Sequence, residues 1–367
     1  MSRHEPPRIV VMSGICTRHD AISNVVRTQE EILAEAGYDV RVYVQHTDFP
    51  GGRHVAVSDP WLLQRDDWYS TADLVIAHFG ISYGLFDSLG LSHPGVRVVH
   101  FHNITPPALL TGESRLAAIR GIDQLSIATL ADRIWSDSQH NTDCLLDWTD
   151  VDPSVVSLMQ LCTPWAEAPV LDGPRDRRVI AVGRLVSAKG QLDLVDAVAA
   201  LPPSQRDGLE VDLIGTTDAS DPIYIAQLRD RIAELGLDGV VRIELDLPDD
   251  ELRERYTAAS VFVSTSRHEG FCVPVIEALS SGCRVIATDA GALPETVGPC
   301  GQLVAVGDVV ALTDALGAAL DGDDRDTAGR AACAAHLATF RPSAFRDRLL
   351  VAVDELLARS ASATVIS

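Results

Sequence analysis

Short runs of apolar, β-branched residues alternate with helical patterns along this 367-residue chain, and this alternation restricts the fold more than any other feature. Strands that are apolar along their whole length are buried on both faces, as in a parallel sheet covered by helices. Two series of such strands occur, separated by a stretch that carries prolines and charges and fits neither pattern. The sequence therefore predicts an α/β protein with two doubly wound, Rossmann-like domains.

The break between the two series lies within residues 161–178 and places the domain boundary between Pro164 and Pro174. We expect residues 1–165 to form the first domain and residues 166–342 the second, with a last helix at 343–360 that packs back on the first. Single cores stop growing at roughly 250 to 300 residues, which agrees with two domains. In open α/β sheets, ligands bind beyond the carboxyl ends of the strands.

Composition argues against several classes of function. The formal charge of -22 disfavours nucleic acid as a partner and disfavours docking on an anionic membrane. No apolar stretch approaches the roughly 20 residues of a membrane span, and the first apolar run resembles a strand more than a signal segment. The seven cysteines include no C-x-x-C pair. We therefore expect a cytoplasmic protein with free thiols, no zinc site and no stable membrane insertion.

Lys189 is the only lysine among the 30 Lys and Arg residues of the chain. A predicted buried strand ends at the turn residue Gly183, and Arg184 and Lys189 follow in the loop before a helix. Free N–H groups, the helix dipole and two cations together suit a diphosphate. A solvated cation pair is the alternative on spacing alone, but the absence of any other lysine favours function.

Two glutamates, Glu269 and Glu277, flank the start of another predicted helix. The preceding strand ends at Ser266, so Glu269 lies in the loop and Glu277 in the first turns of the helix. The backbone N–H groups of residues 271–273 would be unpaired at the helix start and available to ligand hydroxyls. Alternatively, the glutamates are ordinary turn and surface residues.

Two further strand ends carry polar residues. His100 and His102 lie on one face of a predicted strand, but no third ligand with metal-site spacing accompanies them. We expect His102 to bond a ligand hydroxyl and His100 to pack in the core. The first strand–helix turn lacks a glycine-rich dinucleotide motif, although Ser23 and Asn24 at the helix start can approach a ligand.

With these residues, the second half resembles the retaining GT-B glycosyltransferases of the glycosyl transferases group 1 family, which includes bacterial mannosyltransferases and sucrose synthases. The segment "VGRLVSAKGQLDLVDA" is similar to the family's diphosphate segment, and "HEGFCVPVIEALSSG" is similar to its E-x7-E block. The resemblance implies a GT-B fold, with two Rossmann-like domains facing a central cleft. The first half is less similar, since Ala21 to Ser23 stand in place of a glycine-rich turn.

The resemblance also implies a set of residues that bind a nucleotide-diphosphate sugar: Gly183, Arg184, Lys189 and Ser23 for the diphosphate, Glu277 for the ribose, Leu245 and Leu247 for the nucleobase, and Glu269, Gly270, Phe271, Cys272 and Val273 for the sugar. His102 would face the transferred sugar, and the catalytic set would be Glu269, His102, Arg184 and Lys189. Because the protein supplies both cations for the leaving diphosphate, neither a metal nor a cofactor is implied.

The implied reaction is retaining transfer of a hexosyl unit from a UDP- or GDP-sugar to an acceptor hydroxyl, by front-face attack without a protein nucleophile. The acidic first domain favours a soluble acceptor such as a natural product, an amino sugar or a saccharide. The alternatives are a pyridoxal enzyme with Lys189 as Schiff base, a nucleotide-sugar epimerase, and a non-catalytic sugar-nucleotide-binding protein. The donor base, the hexose and a homodimer remain open.

Overall fold

The computed structural model describes residues 5–18, 20–49, 51–167, 175–322 and 327–364. The chain divides into two compact units, one of residues 1–161 with 343–367 and the other of residues 162–342. This division falls close to the boundary predicted after residue 165, and the last helix belongs to the first unit. Residues 168–174 of the predicted linker lie outside the described residues.

The first unit is built on a seven-stranded sheet with strand order β3-β2-β1-β4-β5-β6-β7. All of its strand pairs are parallel. Its strands are β1 (Arg8–Cys16), β2 (Asp39–Thr47), β3 (His54–Ala56), β4 (Leu74–Phe79), β5 (Val96–Phe101), β6 (Arg133–Ser136) and β7 (Val156–Leu158). Its helices are α1 (Ala21–Glu35), α2 (Pro60–Leu63), α3 (Asp67–Ser70), α4 (Gly112–Leu125) and α5 (Gln139–Trp148).

The second unit has a six-stranded parallel sheet with strand order β10-β9-β8-β11-β12-β13. Its strands are β8 (Asp176–Val182), β9 (Glu210–Gly215), β10 (Val241–Leu245), β11 (Ala259–Ser264), β12 (Arg284–Thr288) and β13 (Gly301–Val304). Its helices are α6 (Gln191–Ala200), α7 (Pro203–Arg206), α8 (Pro222–Glu234), α9 (Asp249–Ala258), α10 (Val273–Ser280), α11 (Leu293–Val297), α12 (Val309–Asp321) and α13 (Thr327–Ala338).

The last helix, α14 (Pro342–Thr364), packs on the first unit through an apolar stripe. Phe345, Leu349, Val353 and Leu356 are buried and recur every three or four residues, so they line one face. At its start, Arg346 forms an ion pair with Glu35 of α1 at 2.7 Å. The helix therefore completes the first unit although the second unit precedes it in sequence.

Central strands are apolar on both faces because helices cover each side of the sheet; all six residues of β4, for example, are buried. β3 and β13 were not predicted, because they have three and four residues and carry too little pattern to be recognised. The prediction of free thiols is wrong for one pair, since Cys300 and Cys333 form a disulfide across 33 residues. Their sequence spacing gave no sign that α13 returns to Cys300.

Candidate functional site

The loop after β8 is held against the end of β11 by main-chain contacts. It ends at Gly190, which has a left-handed φ of 66° and begins α6. A Cβ atom at Gly190 would collide with the carbonyl oxygen of Thr265, so only glycine permits this approach. The Thr265 hydroxyl donates to the Lys189 carbonyl oxygen at 2.9 Å, and the Arg267 N–H donates to the Ala188 carbonyl oxygen at 2.8 Å. Lys189 is therefore fixed beside the loop that follows β11.

A second main-chain contact fixes Glu269 within that loop. Gly291 has a left-handed φ of 59°, and a Cβ atom there would collide with the Glu269 backbone. The Ala292 N–H donates to the Glu269 carbonyl oxygen at 2.8 Å. The predicted diphosphate loop and the predicted sugar loop are thus joined to each other, and the second is joined to the segment after β12.

The structure brings Lys189, Arg184 and Glu269 together. The Lys189 ammonium donates to Oε1 of Glu269, which also accepts from the Ser266 hydroxyl at 2.6 Å. Burial acts to raise the pKa of Glu269, but the charge and hydrogen bond of Lys189, the Ser266 hydroxyl and the charge of Arg184 outweigh it and hold that pKa below its ordinary value. Arg184 itself is exposed, and its guanidinium forms no ion pair with the residues the structure describes.

Cys272 directly precedes α10 and is a non-glycine residue in the left-handed region with φ 77° and ψ 71°. No side chain caps this helix start, Pro274 has no N–H, and the Val275 N–H donates to the Cys272 carbonyl oxygen at 3.1 Å, so among the described residues of the first turn the Val273 N–H is the donor left for an anion or a hydroxyl. The Thr296 hydroxyl donates to the Phe271 carbonyl oxygen and fixes the turn from the opposite side. Burial and the charge of Glu269 raise the pKa of the Cys272 thiol, which is therefore protonated at neutral pH.

Glu277 lies in α10, and the pKa of its carboxyl is raised. Burial raises the pKa of Glu277 to about 7; the Tyr256 hydroxyl, which donates to Oε2 at 3.1 Å, lowers it, and the charge of Asp249 raises it. Glu277 can therefore accept a hydrogen bond when ionised and donate one when protonated. Sequence reasoning missed Tyr256 and Ser266, since a tyrosine in α9 and a serine at a strand end carry no special pattern.

The predicted nucleobase residues follow the end of β10. Leu245 is the last residue of that strand and packs against the hydrophobic core of the second unit. Leu247 is half-buried in the following loop, after Asp246, whose φ is 58°. Asp246 fixes this loop by accepting from the Thr217 N–H at 2.8 Å. Both leucines are partly buried, and Leu245 also packs against that core.

In the first unit, the structure does not support Ser23 as a diphosphate ligand. Ser23 is fully buried, and its hydroxyl donates to Asp20 at 2.7 Å while it accepts from the Thr17 N–H at 3.0 Å. The Asp20 carboxylate caps α1 by accepting from the Ser23 N–H at 2.8 Å. A carboxylate therefore already occupies the helix start at which a phosphate would bind.

His102 follows β5 directly, and its ring belongs to a closed cycle of five hydrogen-bonded side chains. The cycle runs through His78 Nδ1 and His102 Nε2 (2.8 Å), His102 Nδ1 and Asp137 Oδ2 (2.9 Å), Asp137 Oδ1 and His100 Nε2 (2.9 Å), His100 Nδ1 and Gln29 Nε2 (3.0 Å), and Gln29 Oε1 and His78 Nε2 (3.0 Å). The His102 side chain is only 3% exposed, so the accessible part of this half-buried residue is its main chain. The predicted side-chain contact with a sugar would require the cycle to open.

The prediction that His100 is a simple core residue is therefore incomplete, and three members of the cycle were missed. His78 is the penultimate residue of β4, Asp137 follows β6 and Gln29 lies in α1, so the cycle joins four separate segments of the first unit. The signal available in sequence was His78 itself, a polar residue in the otherwise apolar strand "LVIAHF".

Two parallel Rossmann-like sheets and a basic loop at the strand ends define the GT-B class, and comparison with solved structures confirms this fold. Sucrose-phosphate synthase from Thermosynechococcus elongatus superposes with a TM-score of 0.74 at 20% identity, over 96% of this chain and 100% of that chain. HepE from Anabaena in complex with UDP-glucose superposes with a TM-score of 0.71 at 16% identity, over 95% of this chain and 99% of that chain.

The model of the family described as glycosyl transferases group 1 matches residues 169–333 of the chain. An MMP alpha-(1->4)-mannosyltransferase from Mycolicibacterium hassiacum is 38% identical over 41% of this chain and 36% of its own length. A D-inositol 3-phosphate glycosyltransferase from Thermobispora bispora is 29% identical over 98% of this chain and 84% of its own length. A relative with the same name from Streptomyces griseus is matched over 66% of its length. Among the described residues, no helix has the length and hydropathy required to cross a membrane.

Proposed function

We propose that this protein is a retaining glycosyltransferase that moves a hexosyl unit from a UDP- or GDP-sugar to a hydroxyl of a soluble acceptor. The observation that carries the proposal is the pairing of Lys189 with Glu269 beside the exposed Arg184, at the carboxyl ends of the second unit's strands. A lysine fixed on a carboxylate, with an exposed arginine beside it, suits a ligand that joins an anionic diphosphate to a neutral, hydroxyl-rich sugar.

In this proposal, Arg184 and Lys189 bind the diphosphate and stabilise the charge that develops as it leaves. A lysine ammonium has three donors, so Lys189 can bond a phosphate oxygen while it remains paired with Glu269. Glu269 accepts from the sugar hydroxyls, and the Val273 N–H at the uncapped start of α10 supplies a further donor. No metal is invoked, because these cations supply the charge stabilisation.

In this proposal Glu277 binds the ribose. Its ionised carboxylate accepts hydrogen bonds from the ribose hydroxyl groups. Since burial raises the pKa of Glu277 to about 7, nucleotide affinity should rise as the pH increases through neutrality. Leu247 and the main chain around Asp246 would contact the nucleobase, while Leu245 supports them from the core.

Front-face attack assisted by the diphosphate is the mechanism we favour over a covalent intermediate. Glu269 is the carboxylate nearest the proposed sugar site, and one of its oxygens already accepts from both Lys189 and Ser266. Such bonds stabilise the carboxylate and weaken it as a nucleophile. A glycosyl adduct detected by mass spectrometry on Glu269 of the wild type would contradict this mechanism.

The acceptor we propose is a small hydroxyl compound in solution. The net charge of -22 disfavours an anionic lipid surface. The relative that covers 98% of this chain is named for inositol 3-phosphate, which makes polyol phosphates the first acceptors to test.

A thermal-shift screen of nucleoside diphosphates and their sugars tests the donor class. A donor at 100 times its Kd should stabilise the protein by about 2.7 kcal/mol. The donor that stabilises most should then yield an acceptor conjugate; a free epimer would indicate an epimerase, and binding without turnover a binding protein. Absence of any shift with UDP, GDP and their hexoses would refute the proposal.

A further inference from the structure

The hydrogen-bonded cycle buries polar and titratable side chains, which costs free energy in a protein core. Its members are Gln29, His78, His100, His102 and Asp137. Four of the five side chains are titratable, and the cycle is shielded from solvent at the carboxyl ends of β4, β5 and β6. Buried ionic groups are often replaceable by apolar residues without loss of stability. Stability alone therefore does not account for this cycle, and its place at the strand ends is where α/β proteins bind ligands.

The number of protons in the cycle follows from its five hydrogen bonds. One bond uses an amide hydrogen of Gln29, and an ionised Asp137 donates none, so the other four bonds each require a histidine proton. Three neutral imidazoles carry three protons. One histidine must therefore be an imidazolium, and the count is unchanged if the Gln29 amide is turned over.

The environment of each member places the extra proton on His102. His100 Nδ1 accepts from the Gln29 amide, which makes His100 neutral in this arrangement. Burial, together with the charges of His102 and His100, holds the pKa of His78 well below its ordinary value. Burial acts to raise the pKa of Asp137, but His102 and His100 outweigh it and keep that pKa below its ordinary value. The buried ion pair is therefore His102 with Asp137.

Two roles are excluded by this arrangement. An imidazolium has no lone pair, so His102 cannot act as a general base while the cycle is closed. His78, His100 and His102 have nitrogens close enough together for a metal ion, but all six ring nitrogens are already hydrogen-bonded within the cycle. The cycle must open to admit a metal.

The cycle adds a side-chain restraint to the main chain at the end of β5, where the His102 N–H also donates to the Phe79 carbonyl oxygen at 2.8 Å. The exposed part of His102 is its backbone, and the next residue, Asn103, is buried in the left-handed region with φ 71°. The Asn103 side chain accepts from the Ile104 N–H at 2.6 Å and donates to Asn141 at 2.7 Å. The chain is therefore fixed on both sides of the accessible His102 backbone.

We propose that Asp137 and Gln29 are positioning residues for glycosyl transfer: they hold His102 as an oriented imidazolium and thereby help to fix the exposed His102 main chain at the carboxyl end of β5. This inference rests on the proposed function. In this proposal His102 contributes to transfer through its fixed backbone and its locked ring. Its side chain does not donate a hydrogen bond to the sugar.

Two substitutions change the proton count while they preserve the shape of the cycle. Asp137→Asn supplies an amide donor in place of a carboxylate acceptor, so all five bonds persist with three neutral histidines. Gln29→Glu removes an amide donor, so the closed cycle requires two imidazolium rings. We expect nitrogen-15 NMR of the histidine rings to show one imidazolium among these three residues in the wild type, none in Asp137→Asn and two in Gln29→Glu, with signals assigned by histidine substitutions. Three neutral rings in the wild type, or a stoichiometric metal in the purified protein, would overturn the charge assignment.

Transfer kinetics test the positioning role. Asp137→Asn should lower kcat by about 10- to 100-fold, as is typical when the partner of a functional histidine is removed, with little change in the donor KM. Asp143→Asn is the matched control, because Asp143 is an exposed residue of α5 whose carboxylate bonds Gln139 at 2.8 Å. A folded Asp137→Asn protein with neutral rings and wild-type kcat would overturn the positioning role.

The two experiments distinguish a failure of the proposed function from a failure of the imidazolium assignment. If the wild type transfers sugar from no donor, the proposed function fails and the positioning role fails with it. The imidazolium count is decided by the NMR measurement alone.

Discussion

Replacement of Lys189 by methionine removes the ammonium group and keeps a flexible side chain of similar reach. Glu269 then loses a charged partner and retains the Ser266 hydroxyl. Charge-assisted hydrogen bonds contribute about 1.5 to 3 kcal/mol, and solvent screening lowers this because the Lys189 and Glu269 side chains are 21% and 11% exposed. We expect K189M to lower the free energy of unfolding by about 1 to 2 kcal/mol at neutral pH.

The loss of stability in K189M should depend on pH. The folded-state pKa of Glu269 lies below its ordinary value, so the ion pair stabilises the protein above the unfolded pKa and is lost as the pH falls through the folded pKa. The difference between wild type and K189M in denaturant unfolding should therefore be largest near pH 7 and shrink in acid.

The effect of K189M on transfer should exceed its effect on stability. Removal of one preorganised donor to a developing negative charge lowers kcat by about 10²- to 10³-fold. The double variant with E269Q separates two explanations: if Lys189 only holds Glu269 in place, K189M costs nothing further in the E269Q background. We expect at least a further tenfold loss there, from direct contact with the diphosphate. K189M activity within threefold of wild type would refute the reasoning.

Transfer should require the lysine side chain at position 189, and not only a positive charge there. An ammonium is a compact point charge, whereas a guanidinium is a planar fork suited to bidentate contacts. K189R should therefore keep the fold and lose most transfer, and near-normal activity in that variant would show that charge alone is sufficient.

Four further predictions rest on contacts described above. Because burial raises the pKa of Glu277 to about 7, the wild type should lose stability as the pH rises from 4.5 to 7; E277Q should abolish this loss, measured as unfolding free energy at pH 5 and pH 8, and a shared slope would contradict it. Y256F removes a bond that favours the ionised Glu277, so the midpoint of the pH dependence of nucleotide binding should move upward. C272G should raise the unfolding free energy by up to about 1 kcal/mol through relief of the left-handed strain, whereas C272A should not. Reduction of the Cys300–Cys333 disulfide should lower stability by about 3 to 4 kcal/mol, and a variant with alanine at both positions should respond to no reductant.

The sequence was most informative where local pattern and tertiary structure agree. Buried parallel strands can be recognised as apolar runs. The start of α10 was predicted from a strand end, a loop and Pro274. The family resemblance was confirmed by the match over residues 169–333. The loop of Arg184 and Lys189 was found because it follows such a strand.

Contacts between distant segments could not be predicted in this way. The pairing of Lys189 with Glu269 joins residues 80 apart, and the bond of His100 to Gln29 joins residues 71 apart. Ser23 misled for the opposite reason: its position at a helix start suggested a ligand contact, but a local bond to Asp20 already uses its hydroxyl. One residue type in one position supports both roles, and only the neighbours decide between them.

The glycines at positions 190 and 291 have a practical consequence for redesign. Since main-chain contacts through Gly190 and Gly291 hold the two loops together, the scaffold does not rely on most of the side chains that would meet the sugar. Libraries that vary Cys272 and Val273 and keep both glycines and the buried Phe271 should therefore yield many folded variants with altered donor preference. Alanine at either glycine should instead remove activity towards every donor, because it separates the loops.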